Sequence, residues 1–221
     1  MRIEKTDNIN FGTNIRVISP NAYRAKTFKM FAKRNCRFID WWEIKPTDGF
    51  KRECFCGYRK NMELGFTNDV RTCTAGVVAN GNKKAPLFFH LLNSKKNKED
   101  LGSLKECFQG TNAILVGSKD GFTYSKDIFE GLKGFAREHK LPLTIFQSLA
   151  PRFEACLAYE SQKDTLYMCV RDAIYYSRYV ETMDELKSVF RTVEISETDN
   201  IEFCDNNVVD NILGWLKKIF N

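Results

Sequence analysis

Histidine is scarce. Only two of the 221 residues are His, at positions 90 and 139, which argues against a catalytic metal centre built on imidazoles. No apolar run approaches the roughly 20 residues that a membrane-spanning helix needs. The opening Met1-Arg2-Ile3-Glu4-Lys5-Thr6-Asp7-Asn8 lacks the apolar stretch of a secretory signal. There is no tandem repeat, no low-complexity tract, no Gly-x-Gly-x-x-Gly after a strand and no Gly-Lys-Ser/Thr phosphate loop, so no cofactor is expected. An Arg/Gly-rich tail and a basic-aromatic repeat are also missing, and nucleic acid is not an expected partner. Eight cysteines in a chain this long do not make a disulfide scaffold. They read as reduced thiols in the cytoplasm, or in a protein exported by a signal-independent route.

Apolar residues supply 43% of the chain and Phe alone 18 residues, enough for a core that needs no disulfides. The net charge of +6 is uneven. Residues 1–60 carry 14 Lys/Arg against 6 Asp/Glu, and residues 181–221 carry 4 against 9. The basic first part is a solvated surface or a face for an acidic partner.

Period and punctuation give a mixed architecture. Residues 14–18 read as a strand. Ser19-Pro20 reads as an N-cap and first helical residue, opening a helix to about Arg34 with Tyr23, Thr27, Met30 and Phe31 inward. Residues 37–44, 50–58 and 62–66 are strand candidates, and 93–100 a surface loop before a short helix. Residues 112–117, a helix capped by Ser125, and residues 143–147 form a strand-helix-strand crossover, which is parallel and right-handed. Its strands end together at Gly117-Ser118 and Gln147-Ser148, the edge where open α/β sheets form pockets. Residues 153–160 and 165–171 make a second hairpin. A strand over 174–180, a helix over 183–190 capped by Thr182, and short strands at 193–195 and 201–204 follow. An amphipathic helix from Val208 to Phe220 ends the chain. The expected fold is α+β: a sandwich-like mixed β-sheet core, flanking helices and one β-α-β crossover. It forms a single domain over 1–221, with 1–65 as a less integral N-terminal lobe.

The chemistry-bearing feature is a hairpin. Asn80-Gly81-Asn82 between apolar runs is a turn signal. Folding the chain about Gly81 and Asn82 makes partners sum to 163, which sets Cys73 opposite His90. Opposed residues have Cβ atoms roughly 4.5–5.5 Å apart, a spacing at which a thiol and an imidazole act as nucleophile and base. Thr72, Thr74, Ala75 and Gly76 are small, so a carbonyl can approach Cys73 closely. Thr74 and Gly76 also offer exposed backbone N–H groups for an oxyanion. Ser118, Thr123, Gln147 and Asn93 are candidates to orient His90, as is a backbone carbonyl. The contrary reading makes Cys73 a buried core thiol and His90 a satisfied core histidine among Phe88, Phe89, Leu91 and Leu92. His139 and Cys156 share the 17-residue separation, but no tight turn lies midway between them.

The run Thr72-Cys73-Thr74-Ala75-Gly76-Val77-Val78, followed by Phe88-Phe89-His90-Leu91, resembles the chemoreceptor glutamine deamidases. It also resembles the deamidating domains of bacterial toxins of the cytotoxic necrotizing factor type. The likeness extends in layout through the strand at 112–117 and the helix after it, over residues 65–150. It implies a cysteine hydrolase that deamidates a Gln side chain on a partner protein. Cys73 would attack the carboxamide, ammonia would leave, and water would resolve the thioester. The chain departs from the receptor deamidases in lacking their Gly-rich stretch after the His and in carrying more sequence before the Cys.

Other constellations are weaker. Cys54-Phe55-Cys56 with Cys36 gives three thiols, one short of a structural zinc set, so no metal site is expected. A cysteine peptidase pairing Cys73 with His139 is the second enzymatic reading. Asp120, before Gly121, reads as turn chemistry. The competing class is a non-enzymatic interaction module built on the basic N-terminal face, Trp41-Trp42 and the C-terminal helix with Trp215.

Overall fold

The computed structural model describes residues 13–32, 36–39, 64–79, 86–117, 123–149, 152–194 and 201–204. Strand β1 (Asn14–Val17) leads into helix α1 (Pro20–Ala32), and the Ser19 Oγ accepts the Ala22 N–H at 3.2 Å, as an N-cap should. Strands β2 (Cys36–Phe38), β3 (Leu64–Val70), β4 (Thr74–Ala79) and β5 (Leu87–Leu91) follow. A short helix α2 (Lys95–Glu99) and a 3₁₀ segment (Leu101–Cys107) precede the crossover β6 (Asn112–Gly117), α3 (Thr123–Glu138), β7 (Leu143–Ser148). The second half holds β8 (Phe153–Glu160), β9 (Thr165–Asp172), α4 (Met183–Val189), β10 (Phe190–Glu194) and β11 (Ile201–Phe203).

These elements build an α+β sandwich of two mixed sheets. Sheet I runs β11-β1-β9-β8-β3-β2 and sheet II runs β10-β7-β6-β4-β5. Strand alternation separates their faces. Ile15, Val17, Leu157, Met168 and Val170 of sheet I meet Ala75, Val77, Phe88, Ile114, Val116 and Phe146 of sheet II in the central core. On the outer face of sheet II, Val78, Phe89, Leu115 and Ile145 pack under Ile128, Phe129 and Leu132 of α3. On the outer face of sheet I, Cys156, Ala158, Tyr167 and Cys169 lie under α1, whose Tyr23 hydroxyl sits 2.9 Å from the carbonyls of Thr67 and Leu157. Covered on both faces, β4, β6 and β8 are buried at every position.

The crossover forms as expected, with β6 and β7 parallel. Four expectations change. Ser125 lies inside the first turn of α3 and donates to the Thr72 carbonyl instead of capping the helix. Residues 95–99 are helical because Ser94 accepts the Asn97 N–H at 3.2 Å and the buried Asn97 amide donates to the Leu92 carbonyl at 2.8 Å. No strand forms over 174–180. The Asp172 carboxylate accepts the N–H groups of Ile174 and Tyr175 at 2.9 and 3.3 Å, which turns the chain, and only Tyr179 bridges back, to Arg171. The hairpin register also differs, as described next. The strand expected over 50–58, the Asn80-Gly81-Asn82 turn, the side chains of Met30 and Phe31, and the helix over 208–220 lie outside the described residues.

Candidate active site

Partners across β4 and β5 sum to 165, not 163: Ala75 faces His90, Gly76 faces Phe89 and Thr74 faces Leu91. Cys73 is therefore not the cross-strand partner of His90. It lies one step beyond β4, in the 71–73 bend that carries the chain from sheet I to sheet II. The shift of two leaves every side chain on its expected face, because facing repeats every second residue. Extending the ladder would make Cys73 a diagonal neighbour of His90, at about 7–8 Å.

His90 projects between the sheets. It is 1% exposed, and its Nδ1 lies 2.7 Å from the Thr67 Oγ1 of β3. The Thr67 hydroxyl has one proton, which it donates to the Ile39 carbonyl at 2.5 Å. A carbonyl can only accept, so Thr67 must accept from His90. The neutral imidazole therefore carries its proton on Nδ1 and its lone pair on Nε2, the tautomer required of a general base. Thr67 is the orienting residue that the sequence reading missed. Its separation from His90 along the chain, and its place in the other sheet, left no local signal.

The expected orienting residues sit elsewhere. Gln147 pairs with Gly117, and Gly117 pairs with Thr74. This row faces the α3 side of sheet II, opposite to His90. Thr123 opens α3 on that same outer side and is exposed. Asn93 follows β5, and its buried Oδ1 has no hydrogen-bond partner among the described residues. Ser118 lies outside the described residues, as do Asp120, Trp41, Trp42, Cys54, Cys56 and Trp215; nothing is described of the Cys36 side chain.

Cys73 is 8% exposed. Its backbone rests on Gly117, which has φ +116° and whose missing side chain would overlap the Cys73 carbonyl. The preceding residue, Thr72, is tied to α3 through Ser125. The bend is thus clamped between the end of β6 and the first turn of α3. Gly76 makes the expected close approach, but to protein. A Cβ there would lie 2.5 Å from the Ile114 carbonyl oxygen and 2.8 Å from the Phe89 ring. It sits mid-ladder between β5 and β6, so its N–H serves the sheet and not an oxyanion. The buried Thr74 hydroxyl has no hydrogen-bond partner among the described residues.

The peptidase pairing fails on distance. His139 follows the last turn of α3, with Nε2 3.1 Å from the Lys105 carbonyl, whereas Cys73 is next to the residue held by the first turn. At 1.5 Å per residue the helix separates them by about 20 Å.

Among the described residues no group of three or more His, Cys, Asp or Glu could hold a metal ion, and no helix is long and apolar enough to cross a membrane. Comparison with models of known protein families and with curated proteins gives no match.

Proposed function

We propose that the chain is a Cys–His amidohydrolase acting on a glutamine carboxamide of a partner protein, with Cys73 as nucleophile and His90 as base. The observation that carries this reading is the Ile39–Thr67–His90 relay, which leaves Nε2 as the proton acceptor of the neutral ring. Cys73 and His90 are both buried, at 8% and 1% exposure. The sequence resemblance of residues 65–150 to the glutamine deamidases points to the carboxamide as the group attacked. In the reaction, the Cys73 proton passes to His90, sulfur adds to the carboxamide carbon, His90 returns the proton to the departing ammonia, and water cleaves the thioester.

Site-resolved alkylation of the full chain with iodoacetamide at neutral pH tests it. Cys73 must react faster than Cys107, and His90→Ala must remove that advantage. Equal rates, or no effect of His90→Ala, overturn the assignment. Ammonia release from a glutamine-rich protein such as casein then reports the reaction.

One observation favours the interaction-module reading. Ile174, Tyr175 and Tyr176 stand 66%, 60% and 61% exposed on the turn after β9, a cluster of the kind that anchors partners. Under that reading Cys73→Ser keeps full biological activity, and Ile174→Ser with Tyr175→Ser abolishes it.

A further inference from the structure

The outer face of sheet I carries a second pair of reactive groups. Cys156 of β8 and Cys169 of β9 are direct cross-strand partners. The Met168 carbonyl accepts the Ile18 N–H at 2.9 Å, so the backbone groups of Met168 point toward β1 and those of Cys169 toward β8. Cys156 and Cys169 therefore form a hydrogen-bonded pair, with Cα atoms about 5.5 Å apart. Both thiols face a cavity of about 110 Å³ under α1, which Tyr23, Arg24, Asn68 and Arg171 also line. The Asn68 Oδ1 is buried there without a hydrogen-bond partner among the described residues.

We propose that Cys156 and Cys169 form a two-coordinate, bis-thiolate site for a soft monovalent metal ion of the Cu(I) class. Spacing favours a bridging ion over a disulfide. Disulfide Cβ atoms stand at about 3.5–4.5 Å, whereas directly opposed residues stand at roughly 4.5–5.5 Å, with hydrogen-bonded pairs at the wider end. Ligand number and softness select the ion. Zinc takes four ligands, and no third His, Cys, Asp or Glu joins this pair among the described residues. Soft thiolates prefer Cu(I). Size agrees: the cavity admits an ion or a few waters, each of about 30 Å³, but not a peptide-sized thiol.

Charge agrees as well. On binding, two S–H bonds break, two metal–sulfur bonds form and both protons leave to solvent, giving a complex of net charge −1. Arg24 makes no ion pair among the described residues and is placed to offset that charge. Arg171 contributes less, because it is already held by Glu154 at 2.5 Å and Asp69 at 3.2 Å. Burial pushes the Cys156 thiol up to about 11 and the Cys169 thiol higher still. Both stay protonated at neutral pH until a metal displaces the protons.

The test uses the full reduced chain carrying Cys54→Ser and Cys56→Ser, which removes the other closely spaced thiols. Cu(I) is presented anaerobically from a chromophoric chelator. One equivalent should be withdrawn, X-ray absorption should show two sulfurs on the metal, and adding Cys156→Ala or Cys169→Ala should abolish that equivalent. Should an alanine variant unfold, pulse alkylation of the parent in mild urea decides: Cu(I) must protect Cys156 and Cys169 together and leave Cys107 unchanged. Retention of the equivalent in folded alanine variants, a shell of three or more sulfurs, or recovery of Cys156 and Cys169 as a disulfide overturns the proposal.

Discussion

The Nδ1 of His90 lies 2.7 Å from the Oγ1 of Thr67, joining the edge strand of one sheet to the facing sheet across the central core. The bond fixes a tautomer and clamps two layers together, so it links stability to the proposed chemistry.

Thr67→Val keeps the shape of the side chain but strands the His90 Nδ1–H and the Ile39 carbonyl. A buried polar group left unsatisfied costs about 1–3 kcal/mol, which urea denaturation at pH 7.5 will read. Nitrogen NMR should show His90 losing its single tautomer, and the alkylation rate of Cys73 should fall. Thr67→Ser should restore both.

Gly117→Ala should destabilise more. It forces a side chain onto φ +116° and into the Cys73 carbonyl. Strain and overpacking together cost roughly 2–5 kcal/mol. Thermal melts give the loss, and in any folded fraction the bend must shift, so Cys73 alkylation changes with it.

Alkaline pH should weaken the fold through the β8–β9 thiols. Burial raises the Cys156 thiol to about 11 and the Cys169 thiol further, while an unfolded thiol ionises near 8.5. Their contribution is complete below that unfolded value and declines as pH rises toward the folded ones. The urea midpoint of the metal-free chain should drop between pH 8 and 10, and less so in Cys156→Ala/Cys169→Ala.

Acid should act through Asp172. Burial pushes its carboxyl up, but the N–H groups of Ile174 and Tyr175, with Arg152 and Arg178, outweigh that and hold it below its usual range. Its contribution is present above the unfolded value of about 3.9 and is lost as pH falls through the lower folded value. Asp172→Asn should therefore be less stable than the parent at pH 6, with the difference shrinking toward pH 2.

Surface changes at Ile174 and Tyr175 should leave the fold intact. Both side chains are mostly exposed, so Ser at either position should shift stability by less than about 0.5 kcal/mol. A biological defect in those variants would then report on a partner.

Local rules reached a long way. Ser19 before Pro20 marked the start of α1, and Thr182 capped α4 by accepting the Glu185 N–H at 3.2 Å. The apolar stripe Ile128-Phe129-Leu132 placed the covered face of α3. The strands on both sides of that helix paired in parallel. The β4–β5 register was off by two because the turn residues do not declare their own geometry, and Pro86 supplies no N–H to pin it. The strand expected over 174–180 failed because a single carboxylate, Asp172, captured two N–H groups that a ladder would have used. Ser125 looked like a cap, but the Thr72 carbonyl from a distant bend claimed its hydroxyl.

Alternation at periods 2 and 3.6 is a property of neighbouring residues, so the order of elements, their buried faces and the α+β class were readable along the chain. Contacts between layers obey no such period. That His90 meets Thr67, that Cys73 stops short of His90's register, and that a cavity opens beneath α1 beside the hairpin pair Cys156 and Cys169 follow from how sheets and helices pack against one another. The packed core as a whole sets that arrangement, beyond the reach of any local window.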